Sequence, residues 1–341
     1  MDPVVVVRTP DELLAAVPHM LGFKPQESIV VVPVSRGLPM ARVDLPRTGE
    51  HRDEVLRNLR GPFGRNAGPG AMVAVVCITE DRRSAELATQ HLAAGLEAVG
   101  VATQARLWAT DERWVELNTE IAGNRTPDTA SRIAAAAVIA GKSRPAATRE
   151  SLAESLVGDR EPIADALPAA REASHTSSPI TESDWALGSL QRFHTDGNRL
   201  SDTEAARLLV AIESTGPRDA LWEDMSRENA TSHTALWTDL TRRAPDEVRT
   251  PAASLLAFSS WLGGEGAKAW LALDQIPDGP PYSMASLIAT VLQEGAHPDM
   301  WEQLRATGPQ TEAFDPPSPT HRHERDLPQG PEAPGRGGPG R

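Results

Sequence analysis

The chain has 341 residues, with 34 Lys and Arg against 47 Asp and Glu, a formal net charge of −13 and one cysteine. Its length suggests about two domains, each large enough to bury its own core. The negative charge argues against broad binding to a phosphate backbone, which needs clustered Lys and Arg, so nucleic acid is an unfavoured partner. A single cysteine, Cys77, excludes an intrachain disulfide and an all-cysteine metal site.

The first predicted element is a helix with a clear start. Thr9 precedes Pro10 and stands three residues before Glu12, which is the pattern of a capping box. Pro18 interrupts the helical pattern, so we expect a kink or a split into two short helices there. The unbroken apolar run at residues 29–32 then predicts a strand that is covered on both faces of a sheet.

The N-terminal half alternates between strand and helix patterns. Further strands are predicted at residues 4–7, 40–45, 71–79 and 101–109, and helices at residues 50–59, 80–99, 129–139 and 148–156. The helix at 50–59 is expected to stop at Gly61 and Pro62, where a flexible glycine-rich connection begins. Residues 40–45 should form a hairpin with the preceding strand, and residues 71–109 a parallel crossover unit. This alternation predicts an α/β domain with a mostly parallel sheet, a hairpin at one side and helices packed on it.

The composition changes along the chain and suggests a domain plan. We predict an α/β domain at residues 1–157, a linker rich in Pro, Ser and charge at 158–180 that has room for a short helix, and an all-α helical domain at 181–308. Residues 251–294 are similar to a tetratricopeptide unit, but such arrays need several copies and one is visible. Residues 309–341 are rich in Pro and Gly and are predicted to be a disordered tail.

Four runs of sequence are distinctive. They are LLAAVPHMLGFKPQESIVVVPV at 13–34, ARVDLP at 41–46, AAAAVIAGKSRPAATRESLAESL at 134–156 and LLAFSSWLGGEGAKAWLALDQIPDGPPYSMASLIATVLQEGAHPDMW at 255–301. Together they resemble an actinobacterial family known only as a domain of unknown function, and the resemblance implies no catalytic residue. Many members of that family carry a cysteine-rich loop after the tryptophan that matches Trp114. Here residues 115–120 hold no cysteine, which argues against a metal or redox role for that loop.

Two motifs suggest chemistry but favour a structural role. Gly141-Lys142-Ser143 matches the end of a phosphate-binding loop, yet the glycine needed earlier is Ala136 and the segment ends a helix instead of starting one. We therefore predict no cofactor-binding residue. Cys77 lies in an apolar strand and is expected to be a buried thiol. His321 and His323, in the tail, are expected to be solvated.

The candidate site residues follow the predicted strands. The candidates are Asp44, Glu80, Asp81, Asp111 and Arg113. In open α/β sheets ligands bind at the carboxyl ends of strands, and carboxylates there can hold a divalent cation or transfer protons. The alternative is structural: Glu80 and Asp81 favour the start of the next helix, and Asp44 pairs with Arg42 or a turn amide. Acidic residues at strand ends are common, so we favour the alternative, and both metal and cofactor stay unknown.

Two functions of different class remain open. The favoured one is a non-catalytic protein whose α/β domain binds a small ligand or partner and whose helical domain presents a protein-binding groove. The alternative is an enzyme that uses the acids at the strand ends, with or without Mg²⁺. The sequence shows neither a secretion signal nor an apolar run long enough for a membrane span, so we expect a soluble, cytoplasmic protein with no membrane contact. Ligand identity and oligomeric state are left open.

Overall fold

A six-stranded sheet lies at the centre of the protein, for which a computed structural model describes residues 7–307. The strands are β1 (Ser28–Pro33), β2 (Ala41–Asp44), β3 (Met72–Ile78), β4 (Ala102–Ala109), β5 (Arg113–Glu116) and β6 (Ile121–Asn124). Their order across the sheet is β2-β1-β3-β4-β5-β6. The predicted tail lies outside the described residues, as does all of the strand predicted at residues 4–7 except Val7, which belongs to no strand.

The sheet is mixed, not mostly parallel. β3 and β4 are parallel, as the crossover pattern predicts, and β1 and β2 form the predicted antiparallel hairpin. The other three pairs, β1 with β3, β4 with β5 and β5 with β6, are antiparallel. An apolar run shows that a strand is buried but not the direction in which it pairs. The hairpin of β5 and β6, in a segment interpreted as a loop, accounts for the rest of the difference.

Three helices accompany the strands: α1 (Pro10–Leu21), α2 (Gly49–Arg65) and α3 (Arg82–Glu97). The predicted capping box starts α1, since Glu12 donates its backbone N–H to the Thr9 hydroxyl at 3.2 Å and its carboxylate accepts from the Thr9 backbone N–H. Pro18 lies within α1, which is one helix and not two short ones. The packing of the buried Leu14 and Val17 outweighs the hydrogen bond that Pro18 cannot make.

The predicted end of the second helix is wrong. α2 continues through Gly61 and Pro62 to Arg65. Phe63, in this added turn, is fully buried in the core between α2, α3 and the sheet. Its burial, worth roughly 2–3 kcal/mol, offsets much of the cost of a proline inside a helix. The glycine-rich connection therefore shrinks to the residues between Arg65 and the start of β3.

Residues 127–307 form helices and the segments that connect them. The helices are α4 (Pro127–Ile139), α5 (Arg149–Glu154), α6 (Glu161–Thr176), α7 (Pro179–Asp196), α8 (Asp202–Ala211), α9 (Thr215–Asp224), α10 (Ala230–Arg243), α11 (Asp246–Leu262), α12 (Gly266–Leu273), α13 (Ser283–Gln293) and α14 (Asp299–Thr307). In this described part of the chain no helix has both the length and the apolarity to cross a membrane. α6 occupies most of the predicted linker and packs against α8, burying Ile163 and Leu167. The division into two domains stays a prediction.

The two faces of the sheet join different cores. Along β1, Ile29 and Val31 pack in a core with residues of α2 and α3, whereas Val30 and Val32 belong to a second core. The second core is continuous from the sheet through α1 into the helices α5 to α13. The sheet is therefore covered on both faces, as the apolar run in β1 predicts, and its second face adjoins the helical part of the chain.

Candidate functional site

The predicted acids follow strands that end at one side of the sheet. In the register, Asp44 and Ile78 both lie opposite Ser28, and Ala109 lies opposite Ile78. Asp44 is 77% exposed at its side chain and forms an ion pair with Arg42 at 2.7 Å. This pair is the predicted structural alternative to a catalytic or metal-binding role for Asp44. The fold therefore brings the ends of β2, β3 and β4 into one row.

The two acids after β3 have different surroundings. Asp81 caps α3: its carboxylate accepts hydrogen bonds from the Ser84 backbone N–H at 3.0 Å and from the Ser84 hydroxyl at 2.6 Å. These bonds favour the charged form and lower the pKa of Asp81 below its ordinary value. Glu80 is exposed and lines a shallow groove with Trp108. One of the two acids is thus held by the helix start, and the other faces solvent.

The remaining candidates lie beyond β4. Asp111 is 97% exposed at its side chain and stands 3.9 Å from Arg125. Arg113 packs its guanidinium 5.1 Å from the ring centroid of Trp108, in the same shallow groove as Glu80. Within residues 7–307, the strand-end acids form no group of three potential metal ligands. The group that does so lies in α7, α9 and α10.

A larger cavity lies between the sheet and the helices. This sheet–helix cleft has a volume of about 730 Å³ and is walled by β2 and α2 on one side and by the start of α12 and the end of α13 on the other. Met20 at the end of α1, Met40 just before β2 and Trp270 of α12 are partly exposed and line the cleft with apolar side chains. The volume is in the range of small-molecule pockets, about 300–1,000 Å³.

The charged side chains that line the cleft are two arginines, Arg42 and Arg149, with no Asp or Glu among the described lining residues. β2 positions Arg42, whose Nη2 donates to the Ser28 hydroxyl at 3.0 Å while its buried Nε has no hydrogen-bond partner. The Thr148 hydroxyl caps α5 and thereby fixes Arg149 as its first residue. Arg149 is 43% exposed at its side chain and lies 3.5 Å from Asp274, so most of its donors are free for another acceptor.

The start of α12 forms part of the wall of the same cleft. Gly264, Gly266 and Ala267 line the cleft, and the Glu265 side chain at the N-cap pairs with Lys268 at 2.7 Å instead of capping a backbone N–H of the first turn. A Cβ added at Gly264 or Gly266 would meet nothing within 4 Å, so the missing side chains leave room in the cleft. Because the N–H groups at a helix start carry partial positive charge, this wall favours an anion.

The sequence analysis missed the cleft, although a signal was present. Each of the four runs that carry the family resemblance contributes lining residues: Phe23 from the first, Arg42 from the second, Arg149 from the third and Trp270 from the fourth. These runs are distant in sequence, and their common feature is spatial. The resemblance suggests that the four runs share a function. The cavity that they line could not be located without the fold.

Comparisons with known proteins give one match. No curated protein and no solved structure matches the chain. Residues 10–299 match the family described as Domain of unknown function (DUF4192). The match covers the sheet, the cleft and nearly all the helices given above. The chain therefore belongs to this family of unknown function.

Proposed function

We propose that the protein is a non-catalytic binding protein that takes a small molecule with an anionic group and an apolar body in the sheet–helix cleft. The observation that carries this proposal is the pairing of Arg42 and Arg149 with the uncapped start of α12 around one cavity without acidic lining. Arginine binds carboxylate and phosphate with two parallel hydrogen bonds, and a helix N-terminus adds backbone donors.

The apolar surface of the cleft determines which apolar body the ligand can have. Trp270 offers aromatic surface, and Met20 and Met40 offer side chains that adapt to irregular shapes. An aliphatic chain or an aromatic ring fits these walls, with its carboxylate or phosphate toward the arginines. Such an arrangement, in which apolar walls give affinity and a few polar groups give orientation, is common in small-molecule sites.

The test compares matched anionic and neutral probes. The full chain is titrated calorimetrically with laurate and 1-naphthyl phosphate, and with dodecanol and 1-naphthol as neutral partners. We expect at least one anionic probe to bind and to raise the thermal midpoint, since a ligand at 100 times its Kd adds about 2.7 kcal/mol to the free energy of unfolding. Equal binding of an anion and its neutral partner would contradict the anion site.

Variants then place the site. Arg149→Ala removes one cation, and Gly266→Leu fills the cleft at a position where the new side chain meets open space. Both are expected to weaken binding at least about tenfold, which is 1.4 kcal/mol. Arg132→Ala is the matched control, because Arg132 pairs with Glu12 and lies outside the lining of the cleft. Unchanged binding of the anionic probe in both Arg149→Ala and Gly266→Leu would contradict the proposal.

The alternative function is an enzyme that uses Asp44, Glu80, Asp81 and Asp111, and one observation favours it. The strands that precede these acids end at one side of the sheet, as they do in many α/β enzymes. Against it, Asp44 is paired with Arg42 and Asp81 caps α3. A hydrolytic or metal-dependent activity that Glu80→Ala abolishes, with folding intact, would favour the enzyme.

Three finer proposals accompany the main one. A protein partner for the helical part stays a prediction, which co-purification would test. A cytoplasmic location is proposed from the single cysteine, Cys77, because secreted proteins commonly use disulfides. An actinobacterial origin is proposed because 3 of the 34 basic residues, Lys24, Lys142 and Lys268, are lysine, a composition typical of a GC-rich genome.

A further inference from the structure

A histidine and carboxylate group lies in the helical part of the chain, apart from the cleft and the strand ends. His194 comes from α7, Asp224 is the last residue of α9 and His233 comes from α10. One ligand atom from each of the three lies within 4.8 Å of the others. The Nε2 atom of His233 is 2.9 Å, and that of His194 3.7 Å, from the same Asp224 oxygen, Oδ2. Three helices thus direct three donors to one point.

We propose that His194, Asp224 and His233 form a binding site for Zn²⁺, with a fourth position open to water. Zinc favours imidazole nitrogen and carboxylate oxygen at about 2.0–2.2 Å in a tetrahedron, which places neighbouring ligand atoms roughly 3.3 Å apart. The observed separations surround this value. Sites with three protein ligands and one water are the usual form of catalytic zinc centres.

The surroundings of His194 and Asp224 support this assignment. His194 Nδ1 lies 2.5 Å from the Ser232 hydroxyl, which fixes the ring, while His194 Nε2 is buried and has no hydrogen-bond partner. Ligating histidines usually donate their other ring N–H in this way. Asn229 Nδ2 donates to Asp224 Oδ2 at 3.0 Å and orients the carboxylate. The buried Nε2 is the atom that a metal would use.

His233 needs one adjustment to ligate a metal. It is fully buried. Its Nδ1 accepts from the Trp237 indole N–H at 3.3 Å, which places the ring proton on Nε2, toward Asp224. Zinc at Nε2 requires that proton to move to Nδ1, and the long Trp237 hydrogen bond then breaks. Metal binding should therefore change the environment of the Trp237 indole.

The experiment measures zinc binding to the full chain, purified without a polyhistidine tag. His321→Ser and His323→Ser are present in every protein compared, so that these two histidines, which are close together in the sequence, contribute nothing to the measured binding. Competition with a chromophoric chelator is expected to show one zinc per chain. His194→Ala and Asp224→Asn should each weaken binding at least about tenfold, the minimum expected for a residue that touches the metal. The ¹⁵N–¹H signal of the Trp237 indole, assigned with Trp237→Phe, should shift on zinc addition.

His91→Ala is the matched control, because His91 also stands beside a carboxylate, Asp53, at 3.0 Å but on another surface. Its affinity for zinc should equal that of the parent protein. Absence of stoichiometric zinc binding, or full binding in both His194→Ala and Asp224→Asn, would overturn the proposal. If circular dichroism shows that His194→Ala does not fold, the zinc affinity of Asp224→Asn and the Trp237 signal test the proposal instead. The cleft ligand and the zinc are measured separately, so either site can fail without the other.

Discussion

Thr79, just after β3, donates its hydroxyl hydrogen to the carboxylate of Glu27, just before β1, at 2.8 Å. Thr79 is buried, and its backbone carbonyl accepts from the Trp108 indole N–H, also at 2.8 Å. Glu27 has a positive φ of 42°, uncommon for a residue with a side chain, and it also pairs with Arg47 at 2.6 Å. The Thr79 bond therefore helps to hold a strained residue at the row of strand ends.

Replacing Thr79 by valine tests this bond. Valine keeps the shape and the carbonyl but removes the hydroxyl donor, so the free energy of unfolding should fall by about 1 kcal/mol. Urea unfolding measures the change. Thr119→Val is the control, since Thr119 makes a similar bond to Glu116 at 3.0 Å on the surface and should change stability by less than about 0.5 kcal/mol. Equal effects in the two variants would show that burial of Thr79 does not matter.

Glu182 predicts a pH dependence of stability. It is buried and accepts hydrogen bonds from Arg207 at 2.8 and 3.3 Å, and these bonds lower the pKa of its carboxyl below the ordinary 4.5. Because the pKa is lowered on folding, the contribution to stability is present above pH 4.5 and is lost as the pH falls through the lowered value. Glu182→Gln should cost roughly 1–3 kcal/mol at pH 7, and less with each step of acidification below pH 4.5.

The measurement is urea unfolding of both proteins from pH 7 to pH 3. Glu86→Gln is the control, because Glu86 pairs with Arg82 at 2.7 Å where both side chains are over 40% exposed. Such a pair contributes up to about 1 kcal/mol, and its removal should have little effect at any pH. A constant difference between Glu182→Gln and the parent across this range would contradict the prediction.

Two helical glycines should respond oppositely to alanine. A Cβ at Gly95 in α3 would clash with a Leu56 methyl carbon in α2, whereas one at Gly188 in α7 would meet nothing within 4 Å. Gly95→Ala should lower stability by about 1–3 kcal/mol through overpacking. Gly188→Ala should raise it by about 0.5–1 kcal/mol, since alanine is the better helix former. Thermal unfolding measures both, and adding Leu56→Ala should reduce the penalty at Gly95.

Cys77 should be inert in the folded protein. It is fully buried in β3, and burial together with the nearby Glu27 and Asp81 carboxylates raises the pKa of its thiol to about 12. Because the thiolate is the reactive form, an aromatic disulfide reagent should label Cys77 slowly at pH 8 and fully in denaturant. Rapid labelling of the native protein would show that β3 opens readily.

Local features of the fold were predictable from sequence. The capping box of Thr9 and Glu12 depends on residues three apart, and the parallel pairing of β3 with β4 on one strand–helix–strand unit. The structural alternative for Asp44, an ion pair with Arg42, was likewise visible in neighbouring residues. Local sequence patterns of this kind predict the structure correctly because few tertiary contacts with distant residues change it.

Features set by distant packing were not predictable. Gly61 and Pro62 indicate a helix end, and the burial of Phe63 against residues of α3 and the sheet extends the helix past them. The sheet–helix cleft needs Arg42 and Arg149 in one place, and the group of His194, Asp224 and His233 needs three helices. The spacing of residues along the chain does not show which distant residues lie close together in space, because their proximity depends on tertiary structure.

The contact between α1 and α12 has a consequence for biosynthesis. α1 leaves the ribosome well before α12, because more than 240 residues separate them, yet the two helices pack together in the folded protein. Until α12 emerges, part of the apolar surface of α1 lacks its native neighbour, and exposed surface of this kind invites association with other nascent chains. A chaperone that covers α1 until α12 has been synthesised would prevent such association.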